Sequence, residues 1–175
     1  MKPVELIIKH LFGKYLLVTN TVTSSVLMAT GDFIQQSWTL SKEHEKIDWQ
    51  RTSHMMGVGF CLGPFQHLFY KFIDEKYPSR NLKSVIKKVI IDQSVCSPVF
   101  IAVFFISSAL IENEINSCLV ELKKKFWKIY LIDCLVWPPV QFLNFFYFNP
   151  RYRMLYVNLT TMMYDIFLSY IKHQV

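Results

Sequence analysis

Charge is what this chain is short of. Only 18% of its 175 residues are Asp, Glu, Lys or Arg, against roughly 25% in an ordinary soluble domain, and apolar residues make up 52%. Glycine is scarce as well, with five in all. Three of them gather in GVGFCLGP as Gly57, Gly59 and Gly63, but no strand pattern precedes them and the run is apolar, so a phosphate-cradling loop fails its context. The cysteines Cys61, Cys96, Cys118 and Cys134 show no paired spacing, which argues against a zinc framework or a disulfide scaffold. A serine elbow, a helix with two zinc-spaced histidines and a P-loop are all missing. No enzymatic activity, cofactor or metal is therefore expected. The opening MKPVELIIKHLFGKY lacks Arg and a small-residue cleavage site, so neither a secretory signal nor a removable presequence is written there and targeting is expected from internal segments.

What fills the space is long apolar sequence. No Asp, Glu, Lys or Arg occurs in Tyr15 to Gly31, Thr52 to Tyr70, Val95 to Ile111, Cys134 to Pro150 or Met154 to Tyr164, and charged residues stand at or near both ends of each stretch. A membrane span needs about 20 mainly apolar residues, which the first four reach with their flanks. The fifth must take in Asp165; one central acid costs roughly 2.5 to 3.5 kcal/mol and about ten large apolar residues offset it. The expected fold is all-α: an integral membrane helical bundle of four to five kinked transmembrane helices, one membrane-embedded domain over residues 1–175, with spans near 15–36, 52–72, 89–111, 127–148 and 154–171. Lys71 to Lys88, with Pro78 and six basic residues, and Glu112 to Lys128, with Lys123, Lys124 and Lys125, are expected as aqueous connections. The N-terminus with the second and fourth loops carries eleven Lys and Arg against eight opposite, too small an asymmetry to orient the bundle.

Polar residues nevertheless recur inside the oil. Asp32, Gln35 and Gln36 share a helical face by spacing; His67 lies in the second stretch, Asp92 and Gln93 open the third, and Asp133, Gln141 and Asn144 belong to the fourth. A charge facing hydrocarbon is costly, so these side chains should point into the bundle. They serve there either as interhelical hydrogen-bond glue or as the lining of a solvated pathway, with Arg51, Lys88 and Arg153 as charge partners. Pro64, Pro98, Pro138 and Pro139 fall well inside the stretches and should bend them; at Trp137-Pro138-Pro139 the fourth should bend or break, with Gln141 and Asn144 close by. Gly59 and Gly63 have the spacing for close helix approach. Trp38, Trp49, Tyr70, Trp127, Tyr147, Tyr152 and Tyr156 fall near span ends, as an interfacial belt requires. The net charge of +6 comes from residues flanking apolar spans, where the lipid bilayer and its anionic headgroups are the expected partner; no direct nucleic-acid motif is present.

Several motifs occur together and in order. Asp48-x-x-Arg51 is followed by Gly57, then Gly63-Pro64-x-x-His67-x-x-Tyr70, Lys88-x-x-x-Asp92-Gln93 with Pro98, Trp137-Pro138-x-x-Gln141-x-x-Asn144-Phe145, and Pro150-x-x-Arg153. This series, running from about Leu16 to Tyr170, resembles the Mpv-seventeen and twenty-two-kilodalton peroxisomal membrane protein family. LLVTNT, MATGD, DQSVCSP and KFWKIY look most like one branch of it. The chain departs from the family pattern at His54, where a second Arg is usual, and at Cys134 and Tyr164, where Trp is usual.

The resemblance implies a small multi-span protein of the mitochondrial inner membrane or, alternatively, of the peroxisomal membrane. It further implies channel-like or permeability-modulating behaviour and support of the mitochondrial genome, and the branch implies a role in mitochondrial ribosome assembly. Two functions are carried forward: a channel-like bundle, and a non-conducting scaffold whose basic loops recruit mitochondrial ribosome components. A homo-oligomer is compatible with either.

Overall fold

The computed structural model describes residues 3–43, 46–112 and 115–174, with side chains except at 3, 4, 6, 39–43, 108, 111, 112, 115–118, 121 and 164–174. Cys118, Tyr164 and Asp165 therefore lie outside the described side chains. Every element among the described residues is helical. A short lead-in, α1 (Pro3–Lys9), continues through a π-turn (His10–Lys14) into α2 (Leu16–Glu43). Then come α3 (Trp49–Lys76), α4 (Leu82–Ile91), a π-segment (Asp92–Cys96), α5 (Ser97–Glu112), α6 (Ile115–Tyr147), a 3₁₀ turn (Pro150–Tyr152) and α7 (Arg153–Gln174).

Local chemistry sets most of the boundaries. The Asp48 carboxylate accepts the Arg51 N–H at 3.0 Å and caps α3; Asn81 caps α4 through the Ser84 N–H at 2.8 Å; Asn149 accepts the Arg151 N–H ahead of α7. Such caps satisfy donors that the first helical turn leaves free. The connections are shorter than the sequence leads one to expect. Helix α3 runs on to Lys76 and α4 begins at Leu82, so only about a turn's length of Lys71–Lys88 is loop; α6 already spans 115–147, so the expected connection before 128 is mostly helix.

The prolines do not break the helices. Pro64 lies inside α3, and Pro138 and Pro139 lie inside an uninterrupted α6. Pro98 stands just past the π-segment, where the Ser97 N–H reaches back five residues to the Asp92 carbonyl. In that register the next donor would be residue 98, which has none, so the Gln93 carbonyl is left over; the Tyr130 hydroxyl of α6 donates to it at 3.2 Å. Buried carbonyls need such substitutes.

Helix α2 packs most extensively on α3 and then on α7. Glycine permits the first contact: a Cβ on Gly59 would stand 2.8 Å from the Ser24 carbonyl oxygen, and one on Gly63 only 2.7 Å from Thr21 Cα. The facing surface of α2 is made of Thr19, Thr21, Ser24 and Ser25, all buried. Several of its hydroxyls bond back to their own helix, as Thr21 does to the Leu17 carbonyl at 2.9 Å and Thr23 to that of Thr19 at 2.8 Å, which lets a polar face pass without water. One apolar cluster joins Tyr70, Ile73, Val85, Phe145, Met154 and Val157; another joins Ile101, Phe105 and Ala109 to Phe126 and Ile129 of α6.

The distribution of polarity is inverted relative to a water-soluble domain. Among the described residues fifteen polar or charged side chains are buried against thirteen apolar ones, while Val22, Phe60, Leu68, Leu131 and Leu135 turn outward. Two segments among the described residues, Leu82–Ser107 and Leu122–Tyr147, are long and apolar enough to cross a membrane. Helices α2 and α3, at 28 residues, reach about 42 Å but carry too much polar sequence to pass by composition.

Candidate functional site

Three polar clusters organise the interior. At the α2–α3 turn, Asp32 is buried and its Oδ2 accepts from Gln36 Nε2 and from Thr52 Oγ1, each at 2.7 Å, while its Oδ1 lies 2.9 Å from Arg51 Nε. Gln36 extends the cluster by accepting the Asp48 N–H at 2.7 Å. Gln35 accepts from Arg51 Nη2 at 3.3 Å. The helical spacing of Asp32, Gln35 and Gln36 thus gathers them on one turn, and Arg51 is the charge partner of Asp32.

The second cluster sits where the π-segment, α3 and α6 meet. Gln141 Nε2 donates to the Tyr70 hydroxyl at 2.6 Å, and Asn144 Nδ2 donates to Gln141 Oε1 at 2.9 Å. Asp92, Gln141 and Asn144 are all buried, none of them turned outward. Nearby, Ser97 Oγ donates to Asp133 Oδ2 at 3.0 Å and Gln93 Nε2 reaches Cys134 Sγ at 3.3 Å. His67 stands apart from this group, half-buried, with its Nδ1 2.9 Å from Asn20 Nδ2 of α2. The amides of Gln141 and Asn144 bond to Tyr70 and to each other; no break near Pro138 offers them carbonyls.

The third cluster corrects the expected pairing of Lys88 and Arg153. Both are fully buried, 1% exposed, yet neither faces the interior acids. They converge on Asp74 Oδ1, which accepts from Lys88 Nζ at 2.8 Å and from Arg153 Nη1. Phe145 closes the group: its ring lies 5.7 Å from Lys88 Nζ and 5.1 Å from Arg153 Cζ, and its carbonyl oxygen faces Arg153 Nη2 at 3.4 Å. Sequence reasoning placed Asp74 in an aqueous loop and Tyr70 in the interfacial belt; both belong to buried clusters. The available signal was the periodicity, since Gly59, Gly63, Gln66, Tyr70 and Ile73 recur every three or four residues and all are buried, so the inward face of α3 continues past residue 72. Trp38, Trp49, Trp127, Tyr147 and Tyr152 are exposed, as a belt requires.

Two cavities follow from this arrangement. One of about 470 Å³ lies among α2, α3, α5, α6 and α7; its polar wall is formed by Gln35, Gln66, Tyr70, Asp92, Asp133 and Gln141, and its apolar wall includes Phe100, Phe104, Phe105 and Trp137. The other, about 510 Å³, is lined by Lys14, Asn20, His67, Lys71 and Asp74, among others. Tyr70 lines both, and its hydroxyl accepts from Gln141. Among the described residues no three His, Cys, Asp or Glu side chains converge to hold a metal ion.

The comparisons with known proteins fit this architecture. PXMP2/4 family protein 4 of Dictyostelium discoideum is 35% identical over 159 residues, covering 89% of this chain and 86% of the relative. The family described as Mpv17 / PMP22 matches residues 109–169. The chain belongs to the Mpv17 / PMP22 family. Other members to which it is similar are the mitochondrial inner membrane protein Mpv17 of Xenopus laevis, 29% identical over 93% of each chain, and peroxisomal membrane protein 2 of Bos taurus, 28% identical over 91% of this chain and 85% of the relative. No solved structure matches the chain. The part matched by the family description covers the end of α5, all of α6 and most of α7, and so includes Asp133, Gln141, Asn144 and Arg153.

Proposed function

We propose that the chain is a membrane-embedded bundle with a channel-like, permeability-modulating role, in which α2, α3, the continuous α4–α5 rod, α6 and α7 serve as four to five crossings. The observation that carries it is the inverted polarity: acids, amides and hydroxyls inside, around a cavity, and Leu, Val and Phe outside. Non-helical backbone and bare charge are excluded from lipid, and a polar interior with an apolar rim is what a wet path through hydrocarbon requires. Relatives named for the mitochondrial inner membrane and for the peroxisomal membrane support a membrane seat. We place the chain in the inner membrane, with the peroxisome as the alternative, supporting maintenance of the mitochondrial genome or ribosome.

The test is electrical. Purified chain in planar bilayers is expected to conduct, Asp92→Asn to change that conductance, and Tyr70→Ala, which truncates a side chain that lines both cavities, to raise it. Well-folded protein that leaves the bilayer silent overturns the channel reading. In that outcome the scaffold reading takes its place, favoured by one feature: Lys123 to Lys125 stand exposed near the start of α6, where they are available to mitochondrial ribosome components. Glutamine at all three positions then releases the partner without altering membrane insertion.

A further inference from the structure

The interior cavity holds two acids and, among the described residues, no cation: Asp92 and Asp133 both line it, and no Lys, Arg or His does. The buried or neighbouring cations are committed elsewhere, Arg51 to Asp32 and Lys88 with Arg153 to Asp74. Asp92 is 5% exposed, and its Oδ1 has no hydrogen-bond partner among the described residues. A buried carboxyl in that position is charged at low cost only when a cation meets it, and otherwise keeps its proton.

The rest of the wall says which cation. Phe100, Phe104, Phe105 and Trp137 line the same cavity as the acids, and aromatic faces attract ammonium groups. At about 470 Å³ the space is in the range that small-molecule ligands occupy, and among the described residues no three His, Cys, Asp or Glu side chains converge there to hold a metal ion. We infer that this cavity is a binding site for an organic cation, an ammonium or pyridinium carrying an apolar or aromatic body, with its charge held by Asp92 and Asp133 and its body against Trp137 and the three phenylalanines. The inference rests on the inward-facing cavity of the channel reading and adds the chemical class of what enters it.

The full chain has four tryptophans, and replacing Trp38, Trp49 and Trp127 by Phe leaves Trp137 as a reporter inside the site. In nanodiscs of phosphatidylcholine, N-methylpyridinium is expected to quench Trp137 saturably. Phenethylammonium should reverse that quenching, and 2-phenylethanol, the same skeleton without the charge, should not. Asp92→Asn with Asp133→Asn is expected to weaken binding on the order of thirtyfold or more, the loss seen when one side of a desolvated charge pair is removed. Linear, unsaturable quenching, equal competition by the alcohol, or unchanged affinity in a folded double variant overturns the inference. Where the double variant loses its helical circular dichroism, Asp133→Asn alone and the ammonium–alcohol comparison decide. Conductance of the same preparation separates the two claims: saturable binding with a silent bilayer keeps the site and removes the channel, whereas conductance without saturable binding removes the site alone.

Discussion

Replacing Asp74 by Asn should be among the most damaging single changes available in this chain, more damaging than replacing either of its partners. Asp74 is the acid shared by Lys88 and Arg153, which are each 1% exposed, while Asp74 itself is 17% exposed. The trio carries a net charge of +1; Asp74→Asn raises it to +2 and leaves both cations buried without an anion. Breaking a buried pair by removing one member costs about 3–5 kcal/mol, and the gain in repulsion places this case toward the upper end. Lys88→Met has the opposite sign in the charge ledger. It leaves Asp74 and Arg153 as a neutral pair, keeps an apolar stem against Phe145, and is expected to lie within about 1 kcal/mol of the wild type, since apolar replacements of buried ions are often neutral or better. In the Lys88→Met background, Asp74→Asn strands one cation, not two, so its cost should fall by on the order of 1–2 kcal/mol. Unfolding by sodium dodecyl sulfate in dodecyl maltoside micelles, followed by far-ultraviolet circular dichroism, measures all four corners of this cycle. Packing alone would make Lys88→Met and Asp74→Asn equally harmful. That result, or an Asp74→Asn variant within about 0.5 kcal/mol of wild type, which is the range of ordinary surface changes, refutes the charge account.

Two further outcomes are expected in the same assay. Gly63→Ala would place a methyl group 2.7 Å from Thr21 Cα, where ordinary carbon contact is about 3.5–4.0 Å. Because the obstacle is backbone, truncating the Thr21 side chain cannot relieve it; the expected loss is about 1–3 kcal/mol, whereas Gly13→Ala, with nothing within 4 Å of the new carbon, should change stability little. Tyr130→Phe keeps the ring stacked on Phe126 but strips the Gln93 carbonyl of its donor, at a cost of about 1–3 kcal/mol. Pro98→Ala supplies an N–H at the position that lacks one, so Tyr130→Phe should cost clearly less in that background; equal costs in both backgrounds would detach the tyrosine from the proline.

The inward orientation of the acids and amides was legible in the sequence because the cost of the alternative is large. A charge on lipid is expensive enough that Asp32, Asp92, Gln141 and Asn144 could be assigned to the interior without knowing their partners, and all four are buried. The glycine spacing was legible for a similar reason: Gly59 and Gly63 recur on one helical face, and only the missing Cβ permits the approach found at Ser24 and Thr21. Helix ends were harder. Charged residues such as Lys71, Asp74 and Lys123 to Lys125 read as loop by composition, yet they ride on helices whose other faces are apolar or buried, and a window average cannot tell the two faces apart. At Pro138 and Pro139 the helix runs on without a break, and elsewhere the sequence shows a missing donor and does not show who replaces it; Tyr130, 32 residues beyond Pro98, is invisible until the chain is folded.

The same physics explains why Leu82–Ser107 and Leu122–Tyr147 are apolar enough along their length to cross a membrane and α2 and α3 are not. The α2 face that disqualifies it by composition, with Thr21, Ser24 and Ser25, is the face that α3 covers through its two glycines. The Thr21 hydroxyl is satisfied within α2 and that of Ser24 by Asn158 of α7, which donates to it at 2.7 Å. Small polar residues let helix backbones approach closely where hydrocarbon offers no hydrophobic drive to hold them together. Polar content in α2 is thus a measure of how much of that helix contacts protein and not lipid. The polar surface of α2 is turned on α3 and α7, whereas α4–α5 and α6 each carry a segment long and apolar enough to cross a membrane.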